Sequence, residues 1–431
     1  MSPRKIHELP ATWLLILIVL SACPELRLGD LQIIEMVQTA RVVVVVFLLA
    51  SIGLRFPFAG VWRDYGRPYL WLLGGSSLLA IAALRLPFYP PPSQTSVLKT
   101  PFVLSMSRLF ELALVIYCML AIADTLQQNP RLIRFSLNAY VAAGSVAAVL
   151  SICSFAIFVA MGTDTYFING LDHRARGFFN EGGPFGLFLV SVVLVLLMKR
   201  RLEGSWTAAG RLAFVVLGLA ILLSESKAGL LAAILCGVAS LLTPNLRRRT
   251  LTLSLIPVGL LCFFGAFERT LGNYKDNFER FDESAFFRPN DRNLVMGRII
   301  GAFIIPRMIA AHPVLGIGIG NYSLMRNDPD YLQGLPAVDD WDLPGLGLVS
   351  DAAELGIPMT LFLLWILIRL PWKAKNQRAP AILVAAAAFQ PVSLLLGINL
   401  NFFYPWLVTA FALAVLAQHR RRKSFYAEST A

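Results

Sequence analysis

Residues 178–201 read FFNEGGPFGLFLVSVVLVLLMKRR. After a glycine-rich opening comes an unbroken apolar run, and it stops on three consecutive cations, Lys199, Arg200 and Arg201. The run matches the ~17–25 residues that cross a hydrocarbon core. Its apolar positions are continuous rather than alternating, so it does not read as a strand of a closed barrel. Inside lipid every backbone N–H and C=O needs a partner within the segment, which leaves the helix.

The same pattern recurs along the 431 residues, of which 57% are hydrophobic and only 15% charged. A soluble domain carries about 25% charged residues, so that class is excluded. The reading places twelve spans, near 10–28, 36–54, 68–86, 105–123, 136–161, 178–198, 209–224, 227–243, 250–267, 346–368, 380–397 and 401–418. The expected fold is therefore all-α, a polytopic integral membrane protein with about twelve transmembrane helices. The first block runs into Pro24 and Glu25 with no small-residue cleavage pattern, and reads as a retained span.

The net charge of +12 would point to nucleic acid in a soluble protein. Here the cations sit in short clusters between apolar blocks. Seven segments hold 22 of the 38 Lys and Arg: Arg4–Lys5, Arg55 to Arg67, Arg131–Arg134, Lys199 to Arg211, Arg247 to Arg249, Arg369 to Arg378 and Arg420 to Lys423. The short connections on the other side hold six, Arg27, Arg85, Lys99, Arg174, Arg176 and Lys227. By the positive-inside rule both termini are cytoplasmic, and no nucleic-acid partner is expected. Residues 268–345 remain as one large non-cytoplasmic loop between spans one to nine (1–267) and the last three spans with a cytoplasmic tail (346–431). Within the loop, Leu294 to Ala311 reads as a helix with Ile299, Ile300, Phe303 and Ile304 on an apolar face and a kink at Pro306.

Cys23, Cys118, Cys153, Cys236 and Cys262 lie in or beside apolar stretches without CxxC spacing or histidine partners. Neither a disulfide nor a metal site is expected, and no cofactor.

The residues that break the charge rule carry the chemistry. Arg174 and Arg176 lie in DHRARGFFNEGGPFG (172–186), Lys227 in SESKAG (224–229), and Arg298 in NDRNLVMGRIIGAF (290–303). Insertion disfavours cations on this face, so a compensating anion is implied. A diphosphate at the headgroup level suits arginine through bidentate contacts; membrane-lipid phosphates, or pairing with Asp172, Glu181 and Glu225, are the plainer alternative. In AHPVLGIGIGNY (311–322) Gly316, Gly318 and Gly320 make a narrow backbone that suits close approach to a ligand or to a neighbouring span. No strand precedes it, so it is not a dinucleotide fingerprint. Arg108 and Glu111, three apart on span four, read as a structural latch. His173 and His312 stand on the same side as the irregular cations, where an imidazole serves as a general base; His312 precedes Pro313 and equally suits a helix end. His7 and His419 lie at the termini.

Taken in order, RxRGFFNEGGPFG (174–186), SESKAG, the R-x13-H-P-x2-G-x-G-x-G-N run (298–321) and LVSDAAELGIP (348–358) resemble the O-antigen ligase and O-antigen polymerase superfamily. The resemblance covers about residues 170–370. It implies a membrane glycosyltransferase with a large periplasmic loop, in a bacterial inner membrane. The enzyme would move a glycan from undecaprenyl diphosphate to an acceptor sugar, either lipid A core (ligase) or another lipid-linked repeat unit (polymerase). It further implies that Lys227, in place of the family's turn arginine, and Arg298 hold the diphosphate; Arg176 is expected to bind it with them, and Arg174 is a further candidate substrate-binding residue.

One departure directs the choice. Ligases carry a histidine about nine residues before the glutamate matched by Glu354, and DLPGLGLVSDAAELG (342–356) has none. The base must then come from Asp342, Asp351 or His312, and the reading moves from ligase toward polymerisation of repeat units into a surface polysaccharide. Such an enzyme takes a lipid-linked glycan and an acceptor glycan, and a chain-length regulator is a conceivable partner. A lipid-linked oligosaccharide transporter is the competing class, but polarity is concentrated in one loop rather than at midplane.

Overall fold

The computed structural model describes residues 11–24, 27–28, 31–32, 61–92, 99–163, 165–168, 173–241, 298–338, 346–400 and 402–429. Its helices begin and end where the sequence supplies caps. The Asn129 side chain accepts from the N–H groups of Arg131 and Leu132, and Pro130 follows it. That pair ends one long helix, α3 (Pro101–Gln128), and starts the next, α4 (Pro130–Met161). Gly162, with φ 66°, closes α4 in the left-handed conformation. The other elements are α1 (Ala11–Ala22), a two-residue antiparallel pair β1 (Arg27–Leu28) and β2 (Leu31–Gln32), and a π-helical turn at Trp62–Gly66 leading into α2 (Arg67–Ala83). They continue with α5 (Gly182–Glu203), α6 (Ala208–Leu223), α7 (Lys227–Leu241), α8 (Arg298–Ala311), α9 (Tyr322–Met325), α10 (Pro329–Leu332), α11 (Leu348–Asn376), α12 (Ala381–Leu395) and α13 (Phe403–Ser429).

The expected spans 36–54 and 250–267 lie outside the described residues. Each other expected span overlaps one helix, although α1 ends at Ala22 and residues 27–28 of the first expected span form β1. Four helices, α3, α4, α5 and α11, are long and apolar enough to cross a membrane, and α1, α6, α7, α8 and α12 are shorter apolar helices. Trp71, Leu78, Val159 and Leu212 stand well exposed on the outside of the bundle. Only an apolar surrounding makes such a surface favourable.

Helix α12 is the hub. Nearly every residue from Leu383 to Leu394 is buried, because α12 packs on α5, α7, α11 and α13 at once. Helix α13 also packs along α3, α4 gathers α1, α5 and α6, and α2 lies between α3 and α11. Tyr140, Phe188, Phe389, Phe411 and Tyr404 interlock in the centre, with Tyr140 Oη 2.6 Å from Ser191 Oγ.

The described part of the expected loop has a small core of its own. Ile300, Ile304, Ile305 and Met308 of α8 are fully buried against Ile317, Tyr322, Met325, Tyr331 and Ala353. Pro306 lies inside α8. Arg307 donates to the carbonyls of Tyr331 and Leu332 at the end of α10, and Asn327 pairs both ways with the backbone of Val338.

Helix α11 is broken. Gly356 adopts φ 74° and ψ 161°, so the first turns, 348–355, are offset from the long remainder. Two opposite ends of the bundle follow from the helix directions. One, the loop end, gathers the start of α3, the 311–322 loop and the turn between α6 and α7. The other, the basic end, gathers Tyr65, Gln377 and Arg420.

Candidate functional site

At the loop end two junctions form, each where glycines let backbone meet backbone. The first joins the 173–186 segment to the turn between α6 and α7. Glu225 takes a left-handed φ of 45°, and Ser226 then caps α7: its Oγ accepts from Gly229 N–H at 2.9 Å and donates to Gly183 C=O at 2.8 Å. One hydroxyl thus ties the N-terminus of α7 to that of α5. The helices touch because Gly186 and Gly229 lack side chains: a Cβ on Gly229 would lie 2.8 Å from the Gly186 carbonyl carbon, and one on Gly186 would collide with Ser226. Ala175 N–H donates to Leu223 C=O at 3.0 Å, which fixes Arg174 and Arg176 on either side.

The charges at this junction are mostly positive. Lys227 is exposed, within electrostatic reach of half-buried Arg174 and of Glu225. Two helix N-termini point at the same place, and each brings partial positive charge and unpaired N–H groups. Arg176 is held differently: its Nε donates to Tyr166 C=O at 2.8 Å and its guanidinium lies 4.8 Å from the Tyr166 ring centroid. His173 stacks on Phe158 at 4.5 Å.

The second junction fits the 311–322 loop into the break of α11. Ile317 and Gly318 N–H donate to the carbonyls of Ala353 and Glu354, and Ile357 N–H donates to Pro313 C=O. Backbone groups stranded by the break are thereby satisfied, which buried structure demands. Thr360 Oγ1 adds a bond to Gly356 C=O at 2.8 Å. Gly316, at φ 66°, has no room for a Cβ, which would sit 2.5 Å from Gly356 N; one on Gly320, at φ 83°, would sit 2.6 Å from Arg108 Cγ. Here the loop's glycines serve contact with α11 and α3.

Glu354 organises this junction. Its Oε2 accepts from Gly320 N–H at 2.9 Å and its Oε1 from Tyr322 N–H at 3.2 Å, where α9 begins. Arg108 acts on it electrostatically and also pairs with Glu111 at 2.9 Å, which makes the expected latch part of the loop's seat. One turn before Glu354, Asp351 Oδ2 is buried and makes no hydrogen bond among the described residues. His312 ends α8: its N–H bonds to Met308 C=O and its carbonyl accepts from Gly316 N–H. Arg298 heads α8, whose buried face packs on α11 near Ala353. Asp342, named from the sequence, lies outside the described residues.

The sequence reading missed Ser226, Gly182, Gly186 and Gly229 as the makers of the first junction. A serine three residues before Gly229, at the head of an apolar run, was the available cap signal. It also missed that Glu354 is a clamp on backbone N–H groups; no local pattern reports a partner 34 residues away.

Residues 212–364 match the family model described as O-Antigen ligase. The match supports the O-antigen ligase and polymerase superfamily, whose members are membrane glycosyltransferase-like enzymes using lipid-linked glycans. The matched stretch runs from α6 into α11 and so contains Lys227, Arg298, His312, the glycine loop, Asp351 and Glu354, while Arg174 and Arg176 precede it. No curated protein matches the chain.

Proposed function

We propose that the protein is a membrane glycosyltransferase that polymerises undecaprenyl diphosphate-linked repeat units into a surface polysaccharide, at the outer face of a bacterial inner membrane. The observation that carries this reading is the first junction. Two helix N-termini converge beside Lys227 and Arg174, in a family that handles lipid-linked glycans. Such an arrangement holds a diphosphate through the whole reaction and stabilises the charge that grows on it as it leaves. Arg298 is the third contact in this reading. Arg176 shapes the segment rather than binding, because Tyr166 already engages its Nε and its face.

The reaction is a single displacement. An acceptor hydroxyl oxygen attacks the anomeric carbon, the C–O bond to the diphosphate breaks, and undecaprenyl diphosphate leaves with the electron pair. The hydroxyl proton passes to a base, and the configuration at the anomeric carbon inverts. Among the three candidates we assign Asp351, since its buried Oδ2 has no hydrogen bond to give up and Glu354 fixes the backbone around it. His312 and Asp342 are the alternatives.

Ligation to lipid A core is the second reading, favoured by the description of the matched family. Polymerisation is preferred because residues 342–356 carry no histidine. Electrophoresis of products from purified protein with a lipid-linked repeat unit decides. A ladder supports the polymerase; one transfer to lipid A core, and no ladder, supports the ligase. Absence of any transfer, with movement of the lipid-linked glycan between leaflets, supports the transporter. The arrangement proposed with it is both termini in the cytoplasm and the 268–345 loop outside.

A further inference from the structure

The basic end holds a cluster that the glycosyl transfer does not use. Three stretches distant in sequence meet here: the π-helical turn with Tyr65, the last turns of α11 with the Gln377 turn that follows them, and α13. Lys373 Nζ lies 4.3 Å from the Tyr65 ring centroid. Arg420 Nη2 stands 3.5 Å from Tyr65 Oη, and its Nε donates to Gln377 Oε1. Arg369 acts electrostatically on both Tyr65 and Lys373, and Arg420 acts on Lys373 as well. Among the described residues the carboxylate facing this group is Asp64, which also meets Arg63 at 3.6 Å and is about half exposed.

Three cations brought this close repel one another, and one solvated carboxylate does not balance them. Behind them a narrow cavity runs into the bundle past Tyr69 and Leu370 to Gln390 and Thr409. Gln390 is only 2% exposed; its Oε1 accepts from Thr409 Oγ1, while its Nε2 is buried with no hydrogen-bond partner among the described residues. The single Thr409 hydroxyl hydrogen also faces Pro405 C=O at 3.0 Å, so the Gln390 amide offers the cavity either an N–H or its carbonyl oxygen, and the cavity has room for a water. Of the three cations Arg369 lines this cavity, with Tyr65 beside it and Gln390 and Thr409 as its buried polar lining.

We propose that Arg369, Lys373 and Arg420 form a binding site for a phosphate group at the basic end. Arg369 and Arg420 supply planar donors and Lys373 a point charge, the combination that suits a phosphate's several oxygens. Tyr65 fixes Lys373 and Arg420 from one side. Water in the cavity links the anion to Gln390. An occupied site cross-links α13 to the α11–α12 turn and to the π-helical turn. The phosphate comes either from a lipid headgroup in the leaflet facing that end or from free phosphate in solution.

The test uses the full chain purified into nanodiscs, with lipid binding read by native mass spectrometry and stability by thermal melting. Phosphatidylglycerol is compared with phosphatidylethanolamine, and inorganic phosphate is added in a third arm. Retention of phosphatidylglycerol, with a rise in melting temperature that inorganic phosphate does not reproduce, supports a lipid headgroup; a rise with inorganic phosphate alone supports the free anion. Lys373→Gln, Arg369→Gln and Arg420→Gln are each expected to weaken binding by about fivefold, with Lys373→Arg retaining it. Lys375→Gln removes a cation held 5.1 Å from the Trp372 ring and is expected to leave binding unchanged. Failure of phosphatidylglycerol and of inorganic phosphate alike to bind or raise the melting temperature overturns the site, as does an equal loss from Lys375→Gln, which marks general surface charge. A cluster variant too unstable to purify is replaced by Gln390→Leu. That substitution is expected to lower occupancy, and full retention in it overturns the link to the cavity.

Discussion

The two junctions of the loop end are built alike and charged differently. In each, glycines bring a short loop against helix backbone, and one side chain bonds across the gap: Ser226 in the first, Glu354 in the second. Yet the first gathers Arg174, Lys227 and two helix N-termini beside exposed Glu225, while the second gathers half-buried Asp351 and Glu354, with Arg108 reaching Glu354 from α3. In the proposed reaction, the contrast separates the two demands of a displacement at an anomeric carbon. A leaving diphosphate needs positive charge held in place, and an acceptor hydroxyl needs an oxygen base. Placing them on different elements keeps base and cations from neutralising each other.

This division of labour is open to direct attack. Asp351→Asn is expected to lower turnover by about 10²- to 10⁴-fold while leaving affinity for the lipid diphosphate in place. Radiolabelled chain extension and a separate donor-binding titration read the two quantities; a matching loss of donor affinity would break the comparison. Lys227→Ala is expected to cost about 10²- to 10³-fold in transfer and to weaken diphosphate binding as well. Because Lys227 is exposed, the fold should survive, and Lys227→Arg should restore most activity.

Next in size, Gly320→Ala forces a left-handed residue to carry a Cβ, at about 1–2 kcal/mol, and pushes on Arg108 in addition. The expected signature is a lowered melting temperature in detergent together with lost activity, which distinguishes it from Asp351→Asn, whose melting should be unchanged. The smallest effect belongs to Arg176→Lys, which keeps the charge but loses the Nε bond to Tyr166 and weakens the ring contact. A stability loss of about 0.5–1 kcal/mol, with activity within a few-fold of the parent, fits its role in shaping the segment. An Arg176→Lys defect as deep as that of Lys227→Ala would return Arg176 to the anion site.

Much of this was visible in the chain before folding. Continuous apolar blocks can do little but form helices in lipid, and Asn129–Pro130, Gly162 and Thr207 mark where they start or stop. The irregular cations stood out because charge on the disfavoured side is rare. What stayed hidden was pairing across distance. Gly186 meeting Gly229, or Glu354 meeting Gly320, is a relation between segments, and apolar periodicity carries no information about which helix lies beside which. The break at Gly356 was equally unreadable, since ELGIP in an apolar run resembles any helix with a proline in its first turns.

That break bears on how the protein is made. A helix interrupted at Gly356 strands backbone N–H and C=O groups that lipid does not accept, and their partners are Pro313, Ile317 and Gly318. Those residues leave the ribosome before residues 353–357 do. Without the 311–322 loop those groups would lack partners, so the loop and the start of α11 are expected to form as one unit.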